Sequence, residues 1–153
     1  MSSFKLQPLS TLTDDSGQQL ATIEHDPARQ LLAVHWFGNL TGQQVVDVTR
    51  RTMQLTANCP YQLLLNDKSQ ATGDWSEALD WLEYEWLPPV LVGGLHAVAY
   101  VFTPDMHNQL ASYRFLERLI AYVRVEVFSN MPDALQWLEQ AAAAPTIRNL
   151  GVI

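Results

Sequence analysis

Short apolar runs alternate along the chain with longer stretches in which apolar residues recur every three or four positions. A short continuous or alternating run is typical of a β-strand, and a recurrence at three and four positions is typical of a helix that buries one face. Strands are therefore predicted at residues 21–25, 31–36, 63–65, 95–102 and 122–128. Helices are predicted at residues 41–57, 74–86, 104–119 and 131–144.

The order of these elements predicts an α/β domain. The first two strands follow each other closely across residues 26–29, which favours an antiparallel hairpin. The later strands are separated by helices, so right-handed crossovers and a mixed, mostly parallel sheet of about five strands are expected. The 153 residues suit a single domain over 1–153, with a loosely held N-terminal arm at 1–20 and a C-terminal tail at 145–153.

The run Leu63-Leu64-Leu65 predicts a strand that is covered on both faces. Polar residues follow it at once, and we expect residues 66–74 to form a loop at the carboxyl end of this strand. Ligand and partner sites of open α/β sheets lie in such loops. The candidate loop site consists of Asn66, Asp67, Lys68 and Asp74. A solvated polar loop without chemistry is the plainer interpretation.

The helix at 74–86 carries a second candidate surface. Asp74 and Glu77 have the spacing of a capping box, and Pro88-Pro89 is expected to end the helix. Its sheet-facing stripe is predicted to contain Trp75, Leu79, Leu82 and Trp86. Trp81 and Tyr84 project away from that stripe, and aromatic side chains in such positions often anchor partner contacts.

The helix at 104–119 is expected to bury Met106, Leu110, Tyr113, Leu116 and Ile120. Its polar face carries His107, Arg114 and Arg118. One interpretation is a homodimer in which the acidic, aromatic face around Trp81 and Tyr84 meets this basic face in a second copy. The other is that the N-terminal arm or the C-terminal tail covers the aromatic pair within one chain.

Composition narrows the classes of partner and chemistry. A net charge of −7 argues against nucleic acid and against an anionic membrane surface. No apolar run approaches the roughly 20 residues that span a bilayer, and residues 1–5 lack a signal-peptide pattern, so we expect a cytoplasmic protein. The single cysteine, Cys59, excludes an internal disulfide, and the four histidines show no metal-ligand spacing. We expect neither a metal nor a cofactor.

Two segments carry a family resemblance. Residues 94–102 read Gly-Leu-His-Ala-Val-Ala-Tyr-Val-Phe, and in residues 128–138 a strand ending in Phe128 leads into a helix of the form Ala-x-x-Trp-Leu. With the element order, these segments resemble the STAS-like, SpoIIAA-like proteins over about residues 20–140. The resemblance implies a small bacterial, non-enzymatic domain, as in anti-sigma-factor antagonists and transporter regulatory domains. It also implies a likeness in fold to lipid-binding CRAL-TRIO-type domains.

The resemblance suggests a regulatory phosphorylation, but the sequence departs from the relevant motif. The antagonists carry an Asp-Ser-Ser-Gly-like motif at a helix start, whereas residues 67–73 here read Asp-Lys-Ser-Gln-Ala-Thr-Gly. Ser69 and Thr72 are the only hydroxyls near the equivalent place and are the possible phosphoacceptors. A phosphoryl group at a helix N-terminus would be favoured by the unpaired N–H groups there. A loop and capping role is the plainer interpretation.

Three functions compete at this point. The first is a STAS-like regulatory or protein-interaction module that self-associates through helix faces. The second is a carrier or sensor of a small apolar ligand, as the CRAL-TRIO likeness allows. The third, more distant, is an enzyme that uses the loop at 66–74. An apolar cavity inside the fold would favour the second. A solid core with an exposed Trp81 and Tyr84 patch would favour the first.

Overall fold

The computed structural model describes residues 3–143 and places the run Leu63–Leu65 in the middle of a six-stranded sheet. The strands lie side by side in chain order: β1 Gln7–Thr13, β2 Gln19–Asp26, β3 Leu31–Asn39, β4 Leu63–Thr72, β5 Ala97–Val101 and β6 Arg124–Phe128. The pairs β1–β2 and β2–β3 are antiparallel, and the pairs from β3 to β6 are parallel. The predicted mixed α/β sheet with an N-terminal antiparallel hairpin is confirmed.

Helices cover both faces of this sheet. They are α1 Gly42–Leu55, α2 Leu79–Trp81, α3 Leu87–Val92, α4 Met106–Leu119 and α5 Met131–Ala143. A 3₁₀ turn at Ser76–Ala78 and a π-helical segment at Leu82–Trp86 join α2 and α3 into one helical stretch, residues 76–92. This stretch, α1 and α4 pack on one face, and α5 packs on the other.

Alternation along the central strand explains its continuous apolar run. Leu64 belongs to the core beneath α1, whereas Leu63 and Leu65 belong to the core beneath α5. Successive side chains of a strand point to opposite faces, so a strand with both faces covered needs apolar residues at every position. The prediction that these leucines are buried in a central strand is confirmed.

Thr41 caps α1. Its hydroxyl accepts a hydrogen bond from the Gln44 backbone N–H at 3.2 Å, and the Gln44 side chain accepts one from the Thr41 backbone N–H at 3.0 Å. This reciprocal capping box fixes the start of the helix. The buried face of α1, which includes Val45 and Val48, is thereby directed at the sheet.

The N-terminal segment is more ordered than its polar sequence indicates. The prediction of a loosely held arm over residues 1–20 is wrong for residues 7–13, which form β1 and pair with β2. Only Leu12 in this strand is buried, so the apolar signal for a strand is weak. The strand forms because the free backbone edge of β2 supplies its hydrogen bonds, which hydrophobic periodicity does not report. The predicted C-terminal tail at 145–153 lies outside the described residues.

Two expectations about the helical stretch 76–92 are wrong. Asp74 forms no capping box with Glu77; its carboxylate accepts a hydrogen bond from the Ser76 backbone N–H at 2.9 Å. Pro88-Pro89 does not end the helix, because both prolines lie in the first turn of α3, where a backbone N–H donor is not required. The predicted buried stripe of Trp75, Leu79, Leu82 and Trp86 is confirmed.

The predicted buried face of α4 is also wrong, apart from Leu116. Met106 is 70% exposed and Ile120 is 65% exposed, and Leu110 and Tyr113 are exposed as well. The face that packs on the sheet is instead made by Asn108, Ala111, Ser112, Phe115, Leu116 and Leu119. Small side chains on this face let the helix approach the sheet closely, and hydrophobic spacing alone does not register their size.

Candidate functional site: a cavity containing a buried lysine

The polar residues after Leu65 do not form a loop. β4 continues to Thr72, and Asn66, Asp67 and Lys68 are all buried. The expectation of a solvated loop at 66–74 is therefore wrong for these three residues. Asn66 and Asp67 have hydrogen-bond partners that are distant in sequence, Trp36 and His35, and those partners make burial of these two polar groups tolerable.

A β-bulge sets the direction of the side chains in this part of β4. His35 pairs with Asp67, and Phe37 pairs with Gln70, so β4 has one more residue than β3 between these pairs. Asn66, before the bulge, and Lys68, within it, both face the core beneath α1; after the bulge, Ala71 is the residue that faces it. Bulges often direct side chains beside functional sites.

Lys68 lies between two indole rings and is only 1% exposed. Its Nζ is 4.0 Å from the centre of the Trp36 ring and 4.2 Å from that of the Trp75 ring. Within residues 3–143, no side-chain or backbone oxygen hydrogen-bonds to this Nζ, and no carboxylate forms an ion pair with it. Burial lowers the pKa of Lys68 well below the usual lysine value of 10.5, which favours the neutral amine.

Lys68 borders a cavity of about 50 Å³ between α1 and the sheet. Most of the side chains around it are aliphatic or aromatic. They are Leu32, Val34, Trp36, Val45, Thr49, Thr52, Met53, Tyr61, Leu64, Asn66, Lys68, Trp75, Leu82, Trp86 and Phe115. No carboxylate is among these lining residues, so the Lys68 amine has no negatively charged partner at the cavity wall.

The polar groups of the lining are largely occupied. The Trp36 indole N–H donates to Asn66 Oδ1 at 2.6 Å, and the Thr52 hydroxyl donates to the Val48 carbonyl at 2.8 Å. Burial raises the pKa of Tyr61 to about 12, so its phenol stays neutral at physiological pH. The indole N–H of Trp75, by contrast, is buried without a hydrogen-bond partner among the described residues, so the mostly apolar lining carries this donor as well as the Lys68 amine.

A second space lies beside the cavity. This outer pocket, about 480 Å³, is formed by the C-terminal end of α1, residues 56–61 and the end of α3. Met53 and Tyr61 line both spaces, so the cavity and the outer pocket adjoin at these two side chains. Cys59 lines the outer pocket, as a half-buried free thiol. A ligand could reach the cavity from this side by displacing two side chains.

The opposite face of the sheet carries a separate ionic cluster. His35 Nδ1 is 2.9 Å from Asp67 Oδ2, and His35 Nε2 is 2.7 Å from Glu24 Oε1. Hydrogen bonding to Asp67, together with that to Glu24, raises the pKa of His35 and favours the imidazolium, which donates from both ring nitrogens. Burial opposes ionisation of Asp67, but bonds from His35 and from Ser69 outweigh it and hold the pKa of Asp67 below its ordinary value.

The structure separates the four residues of the predicted loop site. Asn66 and Lys68 face the cavity, whereas Asp67 faces the other side of the sheet. Asp74 is exposed beyond the end of β4. Hydrogen bonds from Ser76 lower the pKa of Asp74, and attraction to Arg114 and His107 contributes. The four residues therefore do not form one site.

The possible phosphoacceptors lie on a strand and not at a helix start. Ser69 and Thr72 are both exposed positions of β4. The favourable effect of a helix N-terminus on a phosphoryl group therefore does not apply to either hydroxyl. Phosphorylation of Ser69 or Thr72 stays a prediction from the resemblance.

The predicted interface residues are partly engaged within the chain. Arg118 donates to Asp80 at 2.8 Å and to Glu83 at 2.9 Å, so it pairs with the acidic face of the helical stretch 76–92 in the same molecule. Trp81 is half-buried beneath the Arg50 guanidinium, whereas Tyr84 is 67% exposed.

No protein-family model, curated protein or solved structure shows a significant match to this chain. Among residues 3–143, no three His, Cys, Asp or Glu side chains are grouped to hold a metal ion. Over the same residues, no helix combines the length and apolar character needed to cross a membrane.

Sequence reasoning named Lys68 but missed the cavity and the His35 cluster. Trp36 lies 32 residues before Lys68 and Trp75 lies 7 residues after it, and the fold brings both indole rings to Nζ. One signal was present in the sequence. Leu64, Asn66 and Lys68 occupy alternate positions, so a strand that continues past Leu65 directs all three side chains to the same face. Extending the strand by the period of two would have turned Lys68 toward the core.

Proposed function

We propose that this protein binds a small apolar molecule in the Lys68 cavity and acts as its carrier or sensor. The observation that carries the proposal is an apolar space inside the fold with a single amine at its wall. Ligand sites are typically concave and mostly apolar, with a few placed polar groups. A cavity of this kind favours the ligand-binding function over a solid interaction module.

The size of the cavity limits the ligand. A volume of about 50 Å³ compares with roughly 10–15 Å³ for one water molecule, measured in the same way. The resting cavity therefore fits only a few heavy atoms, and a longer chain must extend past Met53 and Tyr61 into the outer pocket. Because the lining has one unengaged amine, a ligand with an apolar body and one polar end matches it best.

The fold supports a kinship that fits this function. The sheet begins with antiparallel strands and continues in parallel, and α5 carries the Ala-x-x-Trp-Leu pattern at residues 134–138. On this basis we extend the proposal to a STAS-like fold that is used, like CRAL-TRIO-type domains, to enclose an apolar ligand. The cavity lies between the helices and the sheet, where such a ligand is expected.

Straight-chain alcohols from three to eight carbons test the proposal. Trp36, Trp75 and Trp86 line the cavity, so a bound alcohol should change the tryptophan fluorescence and raise the melting temperature. Thr49→Met places a longer side chain in the cavity and should abolish both responses. Gln54→Met adds the same side chain on the exposed side of α1 and should leave them intact. Equal binding by both variants would refute the proposal.

One observation favours a second candidate, a protein-interaction module that self-associates. The outer face of α4 exposes Met106, Leu110, Tyr113 and Ile120, next to the edge strand β6. Contiguous exposed apolar surface often marks an interaction site. The predicted dimer contact between the acidic face around Trp81 and the basic face of α4 is less favoured, because Arg118 already forms ion pairs with Asp80 and Glu83 in the same chain.

Light scattering distinguishes the proposed surfaces. If the α4 face forms a homodimer, Leu110→Glu should reduce the measured mass to that of a monomer. Trp81→Ala with Tyr84→Ala should do so only if the aromatic pair forms the interface instead. A monomeric mass for the unmodified protein at high concentration would refute self-association through either surface.

A further inference from the structure

Lys68 is one of two lysines in the whole chain, and the two have opposite environments. Lys5 is exposed, whereas Lys68 is buried and faces the cavity. A charged lysine in a protein interior normally has a carboxylate or several oxygen acceptors around it. Lys68 has neither among the residues that the structure describes, so its surroundings are not those of a structural ion pair.

The surroundings of Lys68 suit a nucleophilic amine. The nitrogen lone pair is free only in the neutral form, and burial lowers the pKa of Lys68, which favours that form. Desolvation in an apolar pocket is an established way to activate a lysine toward carbonyl compounds. Among the described residues, Tyr61 is the only other titratable group that lines the cavity, and its phenol stays neutral.

We propose that the ligand is a small apolar aldehyde, which Lys68 binds covalently as an imine inside the cavity. This inference rests on the proposed function and specifies its ligand class. The amine at the wall supplies the reactive atom, and the cavity lining holds the apolar body of the aldehyde. The indole rings at 4.0 Å and 4.2 Å from Nζ limit the directions from which a carbonyl carbon can approach.

The reaction needs no partner beyond the two reactants. Nζ attacks the carbonyl carbon and forms a C–N bond, which gives a carbinolamine. The carbonyl oxygen then leaves as water with two protons that the amine nitrogen gives up, and a C=N bond remains. No group is oxidised or reduced.

The two indole rings also suit the product. An imine that takes up a proton becomes an iminium cation, and its charge lies at the position that Nζ occupies between Trp36 and Trp75. Aromatic faces attract a cation within about 6 Å of the ring centre. The apolar lining excludes bulk water, which slows hydrolysis of the imine. The rings attract the ammonium form of the free lysine in the same way, so the exclusion of water, and not the rings, distinguishes the bound state from the free one.

Reductive trapping tests the inference. The folded protein is incubated with butanal and sodium cyanoborohydride at neutral pH, and the product is analysed by intact mass and by peptide mapping. We expect one butyl group per chain, with at least about tenfold more label on Lys68 than on exposed Lys5. An excess of 1-butanol, which fits the same space and forms no imine, should suppress the label on Lys68 and leave the label on Lys5 unchanged.

The matched variant is Lys68→Met, which keeps an unbranched side chain and removes the amine. It should lose the cavity label, while the label on Lys5 stays unchanged. If this variant does not fold, peptide mapping of the unmodified protein decides the question alone. Label confined to Lys5 and the amino terminus would overturn the imine. In that case an intact response to 1-butanol would leave the proposed function standing, and loss of that response would overturn both.

Discussion

Replacing Lys68 by Met should stabilise the protein at pH 7. Methionine has a similar length and no branch, so it fits between Trp36 and Trp75 with little repacking. In the unfolded chain Lys68 takes up a proton at pH 7, whereas burial disfavours that proton in the fold. The unmodified protein therefore loses stability through this residue at neutral pH, and the variant does not.

The magnitude follows from proton linkage. The unfolded chain binds one more proton than the folded protein at any pH between the lowered pKa of Lys68 in the fold and its ordinary value of 10.5. Stability of the unmodified protein then rises with pH relative to the variant, by about 1.4 kcal/mol per pH unit. A rise of two pH units within this window should narrow the difference in free energy of unfolding between Lys68→Met and the unmodified protein by about 2.7 kcal/mol.

Urea unfolding of both proteins at about pH 7, 8 and 9 measures this slope. Other titrating groups are common to the two proteins, so their contributions cancel in the difference. Lys5→Met, which removes a lysine from an exposed position, is the control for the loss of one positive charge. If the difference in free energy of unfolding between Lys68→Met and the unmodified protein does not change with pH, Lys68 keeps its proton in the folded protein. That result would refute the prediction that Lys68 is neutral in the fold.

Three further substitutions test other parts of the structure. His35→Gln should lower the free energy of unfolding more at about pH 5.5 than at about pH 9. The raised pKa of His35 stabilises the fold fully below the ordinary pKa of 6.5, and this stabilisation is lost as the pH rises through the pKa of His35 in the folded protein. Urea unfolding that shows an equal loss at both pH values would contradict this. Gly73→Ala should lower the melting temperature more than Gly17→Ala. Both glycines have positive φ, but only a Cβ at position 73 would lie 2.6 Å from the Leu40 carbonyl oxygen. Equal decreases in melting temperature for the two variants would exclude this clash. Thr41→Ala should cost about 1 kcal/mol in urea unfolding by removing the α1 cap, and no loss would show that the capping box is not stabilising.

The sequence was informative wherever a local pattern determined the structure. Alternating and continuous apolar runs located β2 to β6, and the recurrence of apolar residues at helical spacing located α1. These features depend on neighbours within a few residues, which a single sequence displays. The α/β order and the central position of Leu63–Leu65 followed from them.

The failures share a physical cause, which is that the deciding contacts are distant in sequence. Polar residues 66–68 look like a loop until Trp36, His35 and Trp75 are brought beside them. β1 exists because β2 offers it a backbone edge. The orientation of α4 depends on how closely Ala111 and Ser112 approach the sheet, and its larger apolar residues were mistaken for the buried set.

The most direct test of the cavity is a crystal of the protein under xenon pressure. Xenon enters apolar cavities and is readily located by its scattering. We expect a xenon atom between α1 and the sheet, in contact with Leu64, Trp36 and the Lys68 side chain. A water molecule hydrogen-bonded to Lys68 Nζ in place of xenon, or side chains that close the space, would contradict the claim that this is an apolar ligand site.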